Sequence, residues 1–129
     1  MSLVRKGIIG ELQVQKKLLE LGFNVYNNIC DDGGVDLIIE KNNKYYKIQI
    51  KRATSISKSF NQYERLSFRL GDTEKRPDFL ICEYNNEYWV IPSLRIKGNA
   101  FQIYLRSNKL KSLNSFKERW ELLEVVNNS

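Results

Sequence analysis

A chain of 129 residues, 42% hydrophobic, 28% charged and 12% aromatic, has the size and composition of one folded domain spanning 1–129, which excludes a disordered tail. It contains no histidine, and its two cysteines, Cys30 and Cys82, lack metal-ligand spacing, so Cys/His zinc sites and histidine-based acid–base chemistry are excluded. The net charge of +6 is unevenly spread: ten basic against three acidic residues between Lys41 and Arg76, and seven against one over 95–119. That suits a polyanionic partner, with a generally basic solubilising surface as the competing reading.

In chain order, residues 7–21 have helical spacing, and Gly22 is placed to stop the helix. FNVYN (23–27) reads as a short strand, and the loop NNICDDGG follows. VDLIIE (35–40) and KYYKIQIK (44–51) read as strands joined through KNN, a β-hairpin. Residues 53–76 are ambiguous: SKSFNQYERLSFRL suits a short helix or an irregular segment, and GDTEKR a turn or mobile loop. PDFLICEY (77–84) and EYWVIP (87–92) form a second hairpin turning at Asn85-Asn86, AFQIYL (100–105) adds a strand, and 112–126 reads as a terminal amphipathic helix. The expected class is mixed α/β, helices packed on one sheet. Both cysteines read as free thiols, and without a leader or a long apolar run the expected location is soluble and cytoplasmic.

Three polar groups interrupt these patterns. On a helical wheel of about 100° per residue, Ile8, Leu12, Leu18, Leu19 and Val14 mark the expected apolar arc, and Glu11 falls inside it, with Gln15 on the same side. Asp36 opens a nearly all-apolar strand directly after Gly33-Gly34. Alternation along 44–51 puts Tyr45, Lys47, Gln49 and Lys51 on one strand face, and a hairpin turning at 41–43 brings Gln49 and Lys51 towards Asp36. Each has an ordinary reading: Glu11 at the N-terminal end of the helix dipole, Asp36 as a turn cap, Gln49 and Lys51 on a solvated strand. Together they have a chemical one. Without histidine, phosphodiester hydrolysis needs a divalent metal on oxygen ligands and gains from a nearby cation. Glu11, Asp36, the Gln49 side-chain oxygen and the Ile50 backbone carbonyl offer the ligands, and Lys51 the cation.

The helix-one Glu, Gly-Val-Asp (34–36), a hairpin and Gln-Ile-Lys (49–51) resemble the PD-(D/E)XK nuclease superfamily, near the archaeal Holliday junction resolvases and the small homing endonucleases. YKIQIKRAT, with Gln in the acidic slot, is similar to a subset that includes some homing endonucleases, as are the PDFLICEYNNEYWVIP hairpin and the segment holding Arg119-Trp120. The resemblance implies a restriction-endonuclease-like αβββαβ core, with a mixed central sheet flanked by helices. It also implies Mg²⁺, with Mn²⁺ as a substitute, at Glu11, Asp36 and Gln49, and an assisting Lys51. The implied substrate is double-stranded or branched DNA, cut by a homodimer or higher homo-oligomer. Lys47, Arg52, Lys58, Arg65 and Arg69 are the expected contacts to phosphates, each also readable as a solvated surface cation. Pro77-Asp78 and Glu83 are followed by Asn85 where a Lys is required, so Asp78 reads as a strand-entry residue. Gln49 removes one negative charge from the site; a catalytically inactive DNA-binding protein is therefore the alternative.

Overall fold

The computed structural model describes residues 1–30, 34–58, 63–71 and 76–124. Helix α1 (Leu3–Glu20) begins earlier than its spacing suggests because Ser2 caps it, the hydroxyl accepting the Arg5 N–H at 3.2 Å. It stops where expected. Gly22 adopts φ 92°, the Phe23 N–H donates to the Leu18 carbonyl at 3.1 Å and the Gly22 N–H to Leu19 at 3.0 Å, the paired closing bonds of a glycine-terminated helix. Lys41 adds an ammonium donor to the Leu21 carbonyl at 2.9 Å and an ion pair with Glu124, tying the helix end to the hairpin tip and the C-terminal segment.

The strands are β1 (Asn24–Asn27), β2 (Leu37–Lys41), β3 (Lys44–Arg52), β4 (Ser57–Lys58), β5 (Glu64–Arg69), β6 (Phe79–Tyr84), β7 (Glu87–Pro92) and β8 (Ala100–Tyr104). Both expected hairpins form. Asn42 and Asn43 (φ 52° and 65°) join β2 to β3, and Asn85 and Asn86 (φ 51° and 62°) join β6 to β7; two left-handed residues in a row match the twist of the flanking strands, and Asn tolerates them. The central sheet runs β1-β2-β3-β6-β7 and is mixed, since β3 and β6 are parallel and the other pairs antiparallel. A smaller sheet, β4-β5-β8, stands apart from it.

Each face of the central sheet has its own cover. Leu37, Ile39, Ile48, Ile81 and Val90 pack with Val14 and Leu18 of α1 and with Trp120 and Leu123. On the opposite face Leu80, Cys82, Trp89 and Ile91 pack with Leu66, Phe68, Phe101 and Ile103 of the small sheet. The result is three layers: helix, mixed sheet, small sheet.

Three expectations are corrected. The described parts of 53–76 form β4 and β5, neither helical nor irregular: Leu66 and Phe68 point inward and Arg65, Ser67 and Arg69 away from the core, a period of two. The terminal segment is not one amphipathic helix but two short 3-10 stretches, Leu113–Phe116 and Trp120–Glu124. Between them Glu118 has φ 54°; its N–H donates to the Tyr88 carbonyl at 2.7 Å, and its carboxylate accepts the Tyr88 N–H at 3.1 Å and the Trp120 indole N–H at 2.6 Å. The segment thus bonds to the outer edge of β7 instead of to itself. Finally, α1 turns its Gly10–Val14–Leu18 row to the sheet and leaves Ile8, Leu12 and Leu19 exposed. Gly10 passes over the Arg52 side chain, with room for a Cβ in ordinary contact at 3.6 Å.

Residues 31–33 of the NNICDDGG loop with its Gly33-Gly34 bend, 59–62, 72–75 of the GDTEKR turn, and 125–126 of the expected terminal helix lie outside the described residues. Among the described residues no helix is long and apolar enough to cross a membrane.

Candidate active site

β2 begins at Leu37, opposite Ile48, whereas β3 continues to Arg52, so the end of β3 lacks a strand neighbour on that side. Asp36 occupies the gap. Its N–H donates to the Ile48 carbonyl at 2.9 Å, and its carboxylate accepts the Ile50 N–H at 2.6 Å, so a side chain continues the ladder. The N–H and C=O of one strand residue point the same way, which aims the Ile50 carbonyl at this gap too. Asn28 braces the other side: its N–H donates to the Asp36 carbonyl at 3.0 Å, its amide nitrogen to the Val35 carbonyl at 2.9 Å, and its amide oxygen accepts the Cys30 N–H at 3.1 Å. The sequence singles out no role for Asn28; an Asn leading into a loop of Asp and Gly is the one cue.

Glu11 reaches the same gap from the helix layer. It lines a cavity of about 180 Å³ with Asn27, Asn28, Val35 and Asp36. Gln15, one turn further along α1, donates to the Asn27 side-chain oxygen at 3.0 Å and fixes the helix over β1. Gln49 and Lys51 lie on the opposite face of β3, and neither lines that cavity. The β2–β3 register ends at Leu37–Ile48, and beyond it Asp36 is tied to β3 through the Ile48 carbonyl and the Ile50 N–H. Gln49 is only 7% exposed. Lys51 is half-buried next to Cys82, its partner across β6. Burial pushes the Cys82 thiol far up, and the Lys51 charge opposes that only in part, so the thiol stays protonated.

Of the expected ligands, the structure brings Glu11 and Asp36 to one cavity and leaves Gln49 on the other face of β3; oxygen donors of this kind suit a hard divalent cation such as Mg²⁺. Among the described residues no three His, Cys, Asp or Glu side chains gather.

The expected cations divide. Lys47 is exposed on the Gln49–Lys51 face, its backbone clamped by Asp78 at the entry to β6: Lys47 N–H to the Asp78 carboxylate and Asp78 N–H to the Lys47 carbonyl, both 2.8 Å. Arg52 is not brought to that face. It points to the α1 side, where its Nε lies 3.1 Å from the carboxylate of Glu83, itself 2% exposed; a carboxylate so buried needs that charge. Lys58 is exposed on β4, and Arg65 and Arg69 occupy the outer face of the small sheet, with Tyr104 and Gln102 of β8 opposite Arg65 and Ser67.

No family model matches the chain, and no curated protein matches it. Among solved structures it is similar to a bacterial homing endonuclease, I-Ssp6803I, with a TM-score of 0.72 and 18% identity over 95% of this chain and 91% of that one. The fold is restriction-endonuclease-like. Helix, hairpin and mixed central sheet follow that plan, and β4 and β5 stand between β3 and β6.

Proposed function

We propose that the chain is a Mg²⁺-dependent DNA endonuclease of the PD-(D/E)XK superfamily. The observation that carries this reading is Asp36, whose carboxylate accepts the N–H of Ile50, the residue between Gln49 and Lys51, and which lines one cavity with Glu11. Glu11, Asp36, Gln49 and the Ile50 carbonyl would hold the ion. Bound there, Mg²⁺ offsets charge on the scissile phosphate and promotes ionisation of water. The two carboxylates alone would repel a phosphodiester, so they favour substrate only as cation ligands. Lys51, half-buried, places a positive charge where negative charge develops during attack. Gln49 completes the donor set without adding charge, which favours weaker ion binding than a carboxylate would give.

Lys47, Lys58, Arg65 and Arg69 would contact DNA phosphates, while Arg52 would serve mainly by neutralising Glu83. The likeness to a homing endonuclease favours site-specific cleavage of duplex DNA over junction resolution. Cutting both strands calls for two such sites, hence a homodimer or higher homo-oligomer.

Supercoiled plasmid, linear duplex and a four-way junction, each with Mg²⁺, Mn²⁺ or chelator, test the reading. Metal-dependent cutting by the unmutated protein, reduced at least about a hundredfold by Asp36→Ala and by Lys51→Ala, is the expected result. Gln49 itself favours a second reading, a DNA-binding protein that no longer cuts. Tight binding without cutting by the unmutated chain, with cutting restored by Gln49→Glu, would establish that one instead.

A further inference from the structure

The outer face of the small sheet is open to solvent. Leu66, Phe68, Phe101 and Ile103 turn inward against the central sheet, so alternation sends Arg65, Ser67 and Arg69 of β5 and Ala100, Gln102 and Tyr104 of β8 outward. The register sets them in cross-strand pairs, Arg65 with Tyr104, Ser67 with Gln102 and Arg69 with Ala100, and no acidic residue is among them. In the middle pair the exposed Gln102 side chain is held, its amide oxygen accepting the Tyr104 hydroxyl at 2.8 Å. Holding a long side chain there costs rotamer entropy that no burial offsets, and such an arrangement serves a partner that needs the amide in one orientation.

We propose that this face enters the major groove of duplex DNA and that Gln102 reads an adenine there, with Tyr104 as its positioning residue. Phosphate contacts from Arg65 and Arg69 fix a duplex without selecting its sequence, and Gln102 supplies the selection they lack. Dimensions agree. Among the described residues β4 meets β5 only at Glu64 and Arg65, so beyond Arg65 the sheet is a two-stranded antiparallel ribbon, the β form that the groove admits. Arg65 and Arg69 are four residues apart, about 13 Å along a strand, against a groove about 12 Å wide. That sets the two guanidiniums towards the phosphates of its rims, with Ser67 and Gln102 between them over the bases.

Hydrogen bonding names the base. A carbonyl oxygen has two lone pairs, and Tyr104 occupies one of those on Gln102. The second lone pair and the amide N–H₂ remain, an acceptor beside a donor, which complements the N6–H₂ and N7 of adenine. Guanine presents two acceptors at that edge and would set one against the amide oxygen. Double-stranded RNA is the less suited partner, because its major groove is too deep and narrow for side chains to read. An acidic protein surface would be matched by the arginines and has no use for the held amide between them. The inference rests on the reading of DNA as the partner and not on cleavage, since a chain that binds without cutting would select the same base.

A library of duplexes with a randomised core tests it, bound by the full chain in chelator so that no strand is cut, with the bound fraction sequenced. The unmutated protein should enrich adenine at a position where Gln102→Ala loses a preference of about 5- to 150-fold, while binding to sequences lacking that adenine stays nearly unchanged. Tyr104→Phe keeps the ring and removes the hydroxyl, and should weaken the preference at that same position. Gln102→Glu still accepts from Tyr104 but presents only acceptors, so the preference should move from adenine to cytosine, a gain that misfolding cannot produce. A preference untouched by Gln102→Ala and Gln102→Glu would overturn this inference and leave the endonuclease reading standing. Duplex binding with no sequence preference, or displaced as readily by polyglutamate, would overturn it as well, and no duplex binding by the unmutated chain would remove both.

Discussion

Asp36 does two jobs that substitution can separate. As an acceptor for the Ile50 N–H it closes the ladder, and as a carboxylate it supplies charge. Asp36→Asn keeps an acceptor and loses the charge, so the protein should melt near the unmutated temperature while losing metal-dependent cleavage. Asp36→Ala leaves the Ile50 N–H unsatisfied and should also cost about 1–3 kcal/mol in denaturant unfolding. Equal destabilisation by both changes would argue that the carboxylate is there for stability alone. Cys82 gives a pH signature. Burial holds its thiol well above the ordinary 9.0, so above about pH 9 the unfolded chain loses a proton that the folded one keeps. Stability present at neutral pH is therefore lost as pH rises through that point, and Tyr88, raised by burial and by Glu83 and Glu118, acts in the same direction at higher pH. The fall in melting temperature between about pH 8 and about pH 10 should be shallower in Cys82→Ala. A fall of the same steepness would sink this assignment.

At the scale of elements, what was local was legible. The two Asn-Asn turns, the alternation of β3 and the Gly22 stop each rest on a few neighbouring residues, and all three stand where the sequence puts them. The terminal segment was not legible: its apolar spacing suits a helix, but Glu118 gains more from bonding Tyr88 and Trp120 than from continuing one. For α1 the wheel placed Glu11 inside the buried arc, whereas the buried row is Gly10–Val14–Leu18 and Glu11 is exposed beside it; two apolar rows compete along the helix, and local spacing does not choose between them. The small sheet carries a prediction of its own. Arg65 and Arg69 project from β5 away from its buried face, with no other charged residue between them on that strand face. Arg65→Ala with Arg69→Ala should weaken duplex binding and flatten the slope of log affinity against log salt by about 1–2. An unchanged slope would remove this face from the DNA contacts.

Across the whole molecule, every residue of the candidate site comes from the first 51 positions, yet no single element holds them. The hairpin after Asp36 was enough to anticipate that residue against the end of β3, where its carboxylate accepts the Ile50 N–H. The split of the group across the sheet, with Glu11 on the α1 side and Gln49 and Lys51 beneath the small sheet, was not, since it depends on which layer covers which face. Nor was the parallel pairing of β3 with β6, a contact between distant parts of the chain that no local pattern encodes.

That parallel pairing also sets an order of events during folding. The β2–β3 hairpin and the Asp36–Ile50 bond close short loops and can form on the microsecond scale typical of hairpins. Joining Ile48 to Phe79, and Arg65 to Tyr104, means closing long ones, which are slower to find. The carboxylate at the end of β3 is thus set by local chemistry early, while the burial of Gln49 and Lys51 waits for β6 and the small sheet. A chain emerging from synthesis would hold the Asp36 carboxylate against β3 before the walls around it had formed.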